Sequence, residues 1–74
     1  MRQVSLGYTQ EHYMSDLLLQ KEVAEKTRLP LSTLRYYRHA GKGPRSFLLG
    51  SRVVYKRADV ETWIEQQYQA ERSA

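Results

Sequence analysis

Between Glu25 and Asp59 the chain carries basic residues and no acidic ones. The window includes the basic residues Arg28, Arg35, Arg38, Lys42, Arg45, Arg52, Lys56 and Arg57. Because the acids lie toward the two ends of the chain, the formal net charge of +4 conceals the separation. A segregated cationic surface on a small protein is typical of proteins that bind the phosphate backbone of nucleic acids. The window therefore predicts a nucleic-acid interface.

The sequence gives little support for disulfides, metal binding or catalysis. The chain has no cysteine, which excludes disulfides and thiolate metal sites. His12 and His39 stand outside any metal-ligand spacing, and no Gly-rich phosphate loop, paired catalytic carboxylates or nucleophile elbow is present. A tyrosine recombinase needs its nucleophile within a larger basic constellation, which the tyrosines here do not form. We expect no enzyme, no metal and no cofactor.

The 74 residues predict a single domain with a small core, because a chain of this size buries roughly 60% of the surface that its unfolded form exposes. No apolar run approaches the ~20 residues of a membrane span. The N-terminus lacks the apolar core of a signal peptide. We expect a cytoplasmic protein without a membrane partner.

Two short helices precede the middle of the basic window. Apolar residues recur at helical spacing over 20–27, which predicts a helix of about two turns. Pro30 ends it, since proline disfavours helical geometry in the preceding residue and is tolerated at a helix start. The second predicted helix covers 31–40 and stops where Gly41 and Gly43 offer left-handed backbone geometry and Pro44 forbids continuation. Two short helices joined by a tight break predict a helix-turn-helix.

A hairpin and a closing helix follow. β-branched and aromatic residues at 47–49 and 53–55 flank a Gly-containing turn, which predicts a two-stranded wing. The last helix is expected from about Ala58, with acids in its first turn and an apolar face of Val60, Trp63, Ile64 and Tyr68. The predicted fold is a small α+β winged helix-turn-helix domain over 17–68. An N-terminal extension at 1–16, with a possible short helix after Thr9, and a fraying C-terminal tail at 69–74 complete the predicted organisation.

Several short segments carry a family resemblance. They are Glu22-Val-Ala-Glu25, Leu34-Arg-Tyr-Tyr37, Gly41-Lys-Gly-Pro44, Phe47-Leu-Leu-Gly50, Val53-Val-Tyr55 and Asp59-Val-Glu-Thr-Trp-Ile64. In this order and spacing they resemble the excisionase and AlpA-like branch of small winged-helix proteins, related to the DNA-binding heads of MerR regulators. The chain departs from the family at two places. Arg28 stands where a glycine is usual in the turn, and Gln20 stands where a Ser or Thr usually opens the first helix.

The resemblance implies that the second helix enters the major groove of DNA. Leu34 and Tyr37 are expected to face the core. The recognition residues are then the remaining polar and basic members of the helix, namely Ser32, Thr33, Arg35, Tyr36, Arg38 and His39. The competing interpretation is a solvated helix face.

The wing and its flanks supply the other expected DNA contacts. Arg52 lies at the hairpin tip, where arginine favours the minor groove or its phosphates. Lys42, Arg45 and Lys56 are expected to contact phosphates, which position a protein without reading sequence. Four aromatic residues, Tyr37, Phe47, Tyr55 and Trp63, have the spacing of core residues more than that of a base-stacking platform.

The resemblance implies a bacteriophage excisionase, a DNA-bending recombination directionality factor. Because the chain stops after the closing helix, it looks less like a MerR regulator. The expected partners are double-stranded DNA, further copies of the protein side by side on that DNA, and a phage integrase, in the nucleoid of the host cytoplasm. An AlpA-like transcriptional regulator has the same fold and contacts and stays open. So does a domain that binds RNA or an acidic protein.

Overall fold

A computed structural model describes residues 16–73. The chain forms β1 (Leu17–Leu19), α1 (Gln20–Thr27), α2 (Leu31–Ala40), β2 (Phe47–Leu49), β3 (Arg52–Lys56) and α3 (Arg57–Ser73). The expected small α+β winged helix-turn-helix is confirmed, and α1 and α2 have the predicted bounds. The predicted short helix after Thr9 lies outside the described residues.

The wing, the β2–β3 hairpin at 47–56, belongs to a larger sheet than the sequence predicted. Its order is β1-β3-β2, with both pairings antiparallel. Leu18 lies opposite Tyr55 in one pairing, and Phe47 lies opposite Val54 in the other. The prediction of a two-stranded wing was incomplete because three consecutive leucines lack the alternation that marks a half-buried strand.

The turn between α1 and α2 keeps its left-handed shape without glycine. Arg28 caps α1 with φ 63° and ψ 25°. The Leu29 N–H donates to the carbonyl of Ala24 at 3.2 Å, which closes the end of α1. Pro30 then begins α2, and its carbonyl accepts from the Thr33 N–H at 3.0 Å. The turn thus has a left-handed geometry that glycine adopts without steric cost, at the cost of strain at Arg28.

Helix α2 ends, as predicted, at glycines with left-handed backbone geometry. Gly41 is left-handed with φ 72°, and Gly43 follows with φ 75°. A Cβ at Gly43 would lie 3.0 Å from the Cβ of Tyr37, so the chain returns tightly against α2. The Lys42 N–H donates to the carbonyl of Tyr37 at 2.8 Å and fixes this return.

The core lies between the sheet and the helices. Its buried cluster consists of Leu18, Val23, Leu34, Tyr55 and Val60. The Tyr55 hydroxyl accepts a hydrogen bond from Gln20 Nε2 at 3.1 Å, which satisfies a polar atom on a buried ring. Of the aromatic residues expected in the core, Tyr55 is buried, whereas Tyr37, Phe47 and Trp63 are half-buried.

Helix α3 begins beside the start of β1. The Arg57 N–H donates to the carbonyl of Asp16 at 2.6 Å. The helix continues through Ser73, so the residues predicted as a C-terminal tail are helical up to that point. Its predicted apolar face is only partly covered, because Val60 is buried while Ile64 and Tyr68 are 37% and 54% exposed.

Candidate nucleic-acid interface

One side of α2 is free of the core and presents polar and basic side chains. A helix turns by about 100° per residue, which places Ser32, Arg35, Tyr36 and His39 on the side opposite the buried Leu34. All of these side chains are exposed. We call them the α2 face. They are four of the recognition residues predicted from the sequence.

The other two predicted recognition residues lie at the flanks of α2. Thr33 is half-buried. Arg38 follows Leu34 by one helical turn, and its Nε donates to Ser46 Oγ at 3.1 Å, in the segment that leads into β2. Arg38 is exposed, but its contact ties α2 to the wing. Sequence spacing did not predict this hydrogen bond, because the position of Ser46 relative to α2 depends on the shape of the turn between them.

Lys42 joins the α2 face although it lies beyond the end of the helix. Its Nζ lies 5.7 Å from the centroid of the Tyr36 ring, within cation–π range. The left-handed Gly41 and the Lys42 backbone bond described above direct the chain back toward α2. The contact places a cation and an exposed tyrosine ring together at the C-terminal end of the face.

Arg52 follows the tip of the wing directly. Leu49 and Arg52 are paired in the sheet, so Gly50 and Ser51 form a two-residue turn. Gly50 has φ 66°, in keeping with hairpin turns that require left-handed backbone. Arg52 is exposed, and strand alternation places it on the same face of the sheet as Val54 and Lys56. Its contact with DNA stays a prediction that depends on its position at the wing tip.

Lys56 and Arg45 lie apart from the α2 face. Side chains alternate between the faces of a strand. Since Tyr55 points into the core with Leu34, its neighbour Lys56 points to the other face of the sheet, away from α2. With Arg45, Phe47 and Asp59 it lines a hollow of about 410 Å³. DNA contacts at Arg45 and Lys56 stay predictions, and the geometry does not join them to the α2 face.

Helix α2 and the wing strands contain basic residues and no carboxylate, so their net charge is positive. Acids occur on α1 and α3 instead, as at Glu25, Glu65 and Glu71. One of them, Glu61, pairs with Lys26 at 3.6 Å between α3 and α1. The acid-free window of the sequence thus corresponds to α2, the turn after it and the wing.

Within residues 16–73, no three metal-ligating side chains of the His, Cys, Asp and Glu types come together. None of the described helices combines the length and the apolar character that a membrane crossing requires.

Comparison with known proteins gives one finding. A family model described as a helix-turn-helix domain matches residues 18–68, which include every described helix and strand in whole or in large part. No curated protein and no solved structure shows significant similarity to the chain. The match extends over more than half of the 74 residues and coincides with the helix-turn-helix and wing just described. The chain therefore belongs to this family of helix-turn-helix domains.

Proposed function

We propose that this helix-turn-helix protein is an architectural DNA-binding protein that directs site-specific recombination. It binds adjacent sites in phage attachment DNA, bends that DNA, and biases an integrase toward excision. The observation that carries DNA binding is the α2 face, an exposed and acid-free helix surface held on a buried core. Such a helix fits the major groove, where base edges are distinguishable.

Each part of the surface has a role in this proposal. Ser32, near the start of α2, and Arg35 reach base edges, since the N-terminal part of a recognition helix reads sequence. Arginine pairs with guanine through two parallel hydrogen bonds. Tyr36 packs on sugar or on a thymine methyl group, and Lys42 beside it contacts phosphate. Arg52 at the wing tip lies over the adjacent minor groove.

The excision role is supported by the resemblance of the segments over 22–64 to excisionases. It is also supported by the size of the surface. A single short helix with one wing corresponds to modules that bury about 600–1,000 Å². Useful affinity on attachment DNA then needs several copies bound side by side, which are partners in this proposal together with the integrase. The protein itself performs no chemical step.

A promoter-binding regulator has the same contacts with DNA, so the decisive measurements are the position of the bound sites and the yield of excision. Footprinting across the DNA that flanks the gene is expected to protect repeated, phased sites in an attachment region. Adding the protein to integrase and attachment DNA is expected to raise excision, and Arg35→Ala is expected to abolish the effect.

Protection confined to a promoter, with no change in excision, would instead assign the protein as a regulator. Stronger binding to RNA than to duplex DNA of the same sequence would contradict both assignments.

A further inference from the structure

Arg38 has a fixed hydrogen-bond partner in the residue directly before β2, which distinguishes it from Arg35. Its Nε donates to Ser46 Oγ at 3.1 Å. Arg35 lies three residues earlier on α2, and within residues 16–73 its side chain has no hydrogen-bond partner. Arg35 is thus free to adapt to a base edge, whereas Arg38 is held in one orientation.

The position of Ser46 is set by the backbone on either side of it. Before it, Pro44 is buried, and Gly43 lies so close to α2 that a Cβ there would approach the Cβ of Tyr37 to 3.0 Å. After it, Phe47 begins β2 and is paired in the sheet. The Ser46 hydroxyl is therefore an acceptor held at a defined place relative to α2.

The contact leaves one edge of the Arg38 guanidinium unused. A guanidinium has five N–H donors in one plane, one on Nε and two on each terminal nitrogen. Ser46 takes the Nε donor, and within residues 16–73 the guanidinium has no other hydrogen-bond or ion-pair partner. The donors on Nη1 and Nη2 form the fork that binds two oxygens of one phosphate. Arg38 is exposed, so a phosphate can reach this fork.

The hydrogen bond also places Arg38 between α2 and the wing. In the proposed complex α2 lies in the major groove and the wing tip lies over the adjacent minor groove. One sugar–phosphate backbone separates these two grooves, so it passes between the two elements. A cation held between them faces that backbone and not the base edges inside either groove.

We propose that Ser46 is a positioning residue for DNA binding, which holds Arg38 through Nε so that its terminal nitrogens bind one phosphate between α2 and the wing. Arg38 then contributes affinity and register and reads no base. Ser46 reduces the entropy that the Arg38 side chain loses on binding, since its orientation exists before DNA arrives. The inference rests on the DNA binding in the proposed function and is independent of the role in excision.

Neutral phosphates test the contact directly. The full chain is titrated with duplexes of a footprinted site in which a methylphosphonate replaces one phosphate at a time. One position is expected to cost the wild type about 10–100-fold in affinity, the range of a hydrogen bond to a charged group, and to cost Arg38→Gln at most about twofold. Arg35→Gln removes the same charge from the same helix. It is the matched control and keeps the full loss at that position.

Ser46→Ala retains the arginine and its charge and removes the positioning contact. It is expected to weaken binding to the unmodified site by about three- to tenfold, the cost of immobilising one long side chain, and to reduce the loss at the same methylphosphonate by that factor. In an Arg38→Gln background it is expected to have no further effect. Ser51→Ala, the same change in the turn of the wing, is the control and leaves the loss at that phosphate unchanged.

Wild-type affinity in Ser46→Ala, or equal losses of the wild type and Arg38→Gln at every methylphosphonate, would overturn the proposal. So would a relaxed base preference in Arg38→Gln, because Arg38 would then be a base contact. A lower Tm of Ser46→Ala with a wild-type methylphosphonate profile would make the hydrogen bond a structural link alone, and would overturn the proposal equally. A wild-type protein that binds no duplex DNA would contradict the proposed function as well, whereas the other outcomes leave that function standing.

Discussion

Arg28 forms the left-handed turn between α1 and α2 although it is not a glycine. Its backbone is left-handed, a conformation that costs a non-glycine residue roughly 1–2 kcal/mol. The turn closes nonetheless, since the Leu29 N–H donates to the carbonyl of Ala24 and the Leu29 side chain packs against the core. Arg28 is exposed and lies in the basic window. A cation is thus retained near α2 at a position where glycine fits the backbone better.

Replacing this residue measures the strain. Arg28→Gly is expected to raise the free energy of unfolding by about 1 kcal/mol, because glycine adopts left-handed geometry without steric cost. Arg28→Ala is the matched control, since it removes the same charge and keeps the strained backbone. Urea unfolding of the three proteins gives the comparison. Equal stability of the Gly and Ala variants would show that the turn stores no strain at this residue.

Arg35 and Arg52 carry different parts of DNA recognition in the proposed interface. Arg35→Ala is expected to cost about 1–3 kcal/mol on a specific site and to relax base preference at one position. Arg52→Ala is expected to weaken specific and random duplexes by similar factors. Binding titrations on both kinds of DNA make the test. If each variant loses as much affinity for random DNA as for the specific site, α2 is not the element that reads the sequence.

At the level of elements, α2 is held from two sides. Arg38 links it to the segment before β2 through Ser46. On the other flank, Tyr37 contacts Trp63 of α3, with ring centroids 6.2 Å apart at an interplanar angle of 58°. Gly43 leaves room for Tyr37 in this arrangement. The orientation of the α2 face therefore depends on the wing segment and on α3 together.

The helices and the hairpin were predictable because residues close in the sequence determine where these elements begin and end. Pro30, Gly41 and Gly43 end or begin elements through backbone restrictions that act within a few residues. Strand β1 was not predictable in the same way, since its three leucines form a strand only by pairing with β3, over thirty residues away. Long-range pairing overrode the weak local pattern.

The candidate site was predictable where it depends on the helical spacing of α2, and not where it depends on contacts made through the following turn. Helical spacing identified the α2 face once Leu34 was assigned to the core. It could not show that Lys42 returns to Tyr36 or that Arg38 contacts Ser46, because both depend on the turn at 41–46. The direction of Lys56 depends on the register between β1 and β3. The aromatic residues of the predicted core are half-buried because Leu34, Val60 and Tyr55 already fill the small interior.

Trp63 connects α3 to α2. Trp63→Ala is expected to lower the free energy of unfolding by about 2–3 kcal/mol, below the 3–5 kcal/mol typical of a fully buried aromatic residue, since Trp63 is only half-buried. DNA affinity should fall only as far as the folded fraction falls. Trp63→Phe, which retains an aromatic contact with Tyr37, is the control. Wild-type stability with lost DNA binding would mean that Trp63 itself contacts DNA.

The whole molecule separates its charges by element, and this separation sets its response to salt. Among the described residues, α2, the turn after it and the wing are basic, while the acids lie on α1, on α3 and at Asp16 before β1. Basic side chains that bind phosphates release condensed counterions from DNA. The logarithm of the binding constant therefore falls linearly with the logarithm of the salt concentration, with a slope proportional to the number of phosphates neutralised. The cations on or beside the α2 face and at the wing tip are Arg35, Arg38, Lys42 and Arg52.

If each of these cations neutralises one phosphate, the slope of log K against log salt is expected near −3.6, from about −0.9 per phosphate. Lys42→Ala is expected to make the slope shallower by about 1. Lys56→Ala is the matched control, because it removes the same charge at the end of β3 remote from the wing tip, on the face of the sheet that points away from α2. Its slope should equal that of the wild type. If the Lys56 variant shows the shallower slope instead, that end of β3 contacts DNA and the assignment of the interface to α2 and the wing tip is wrong.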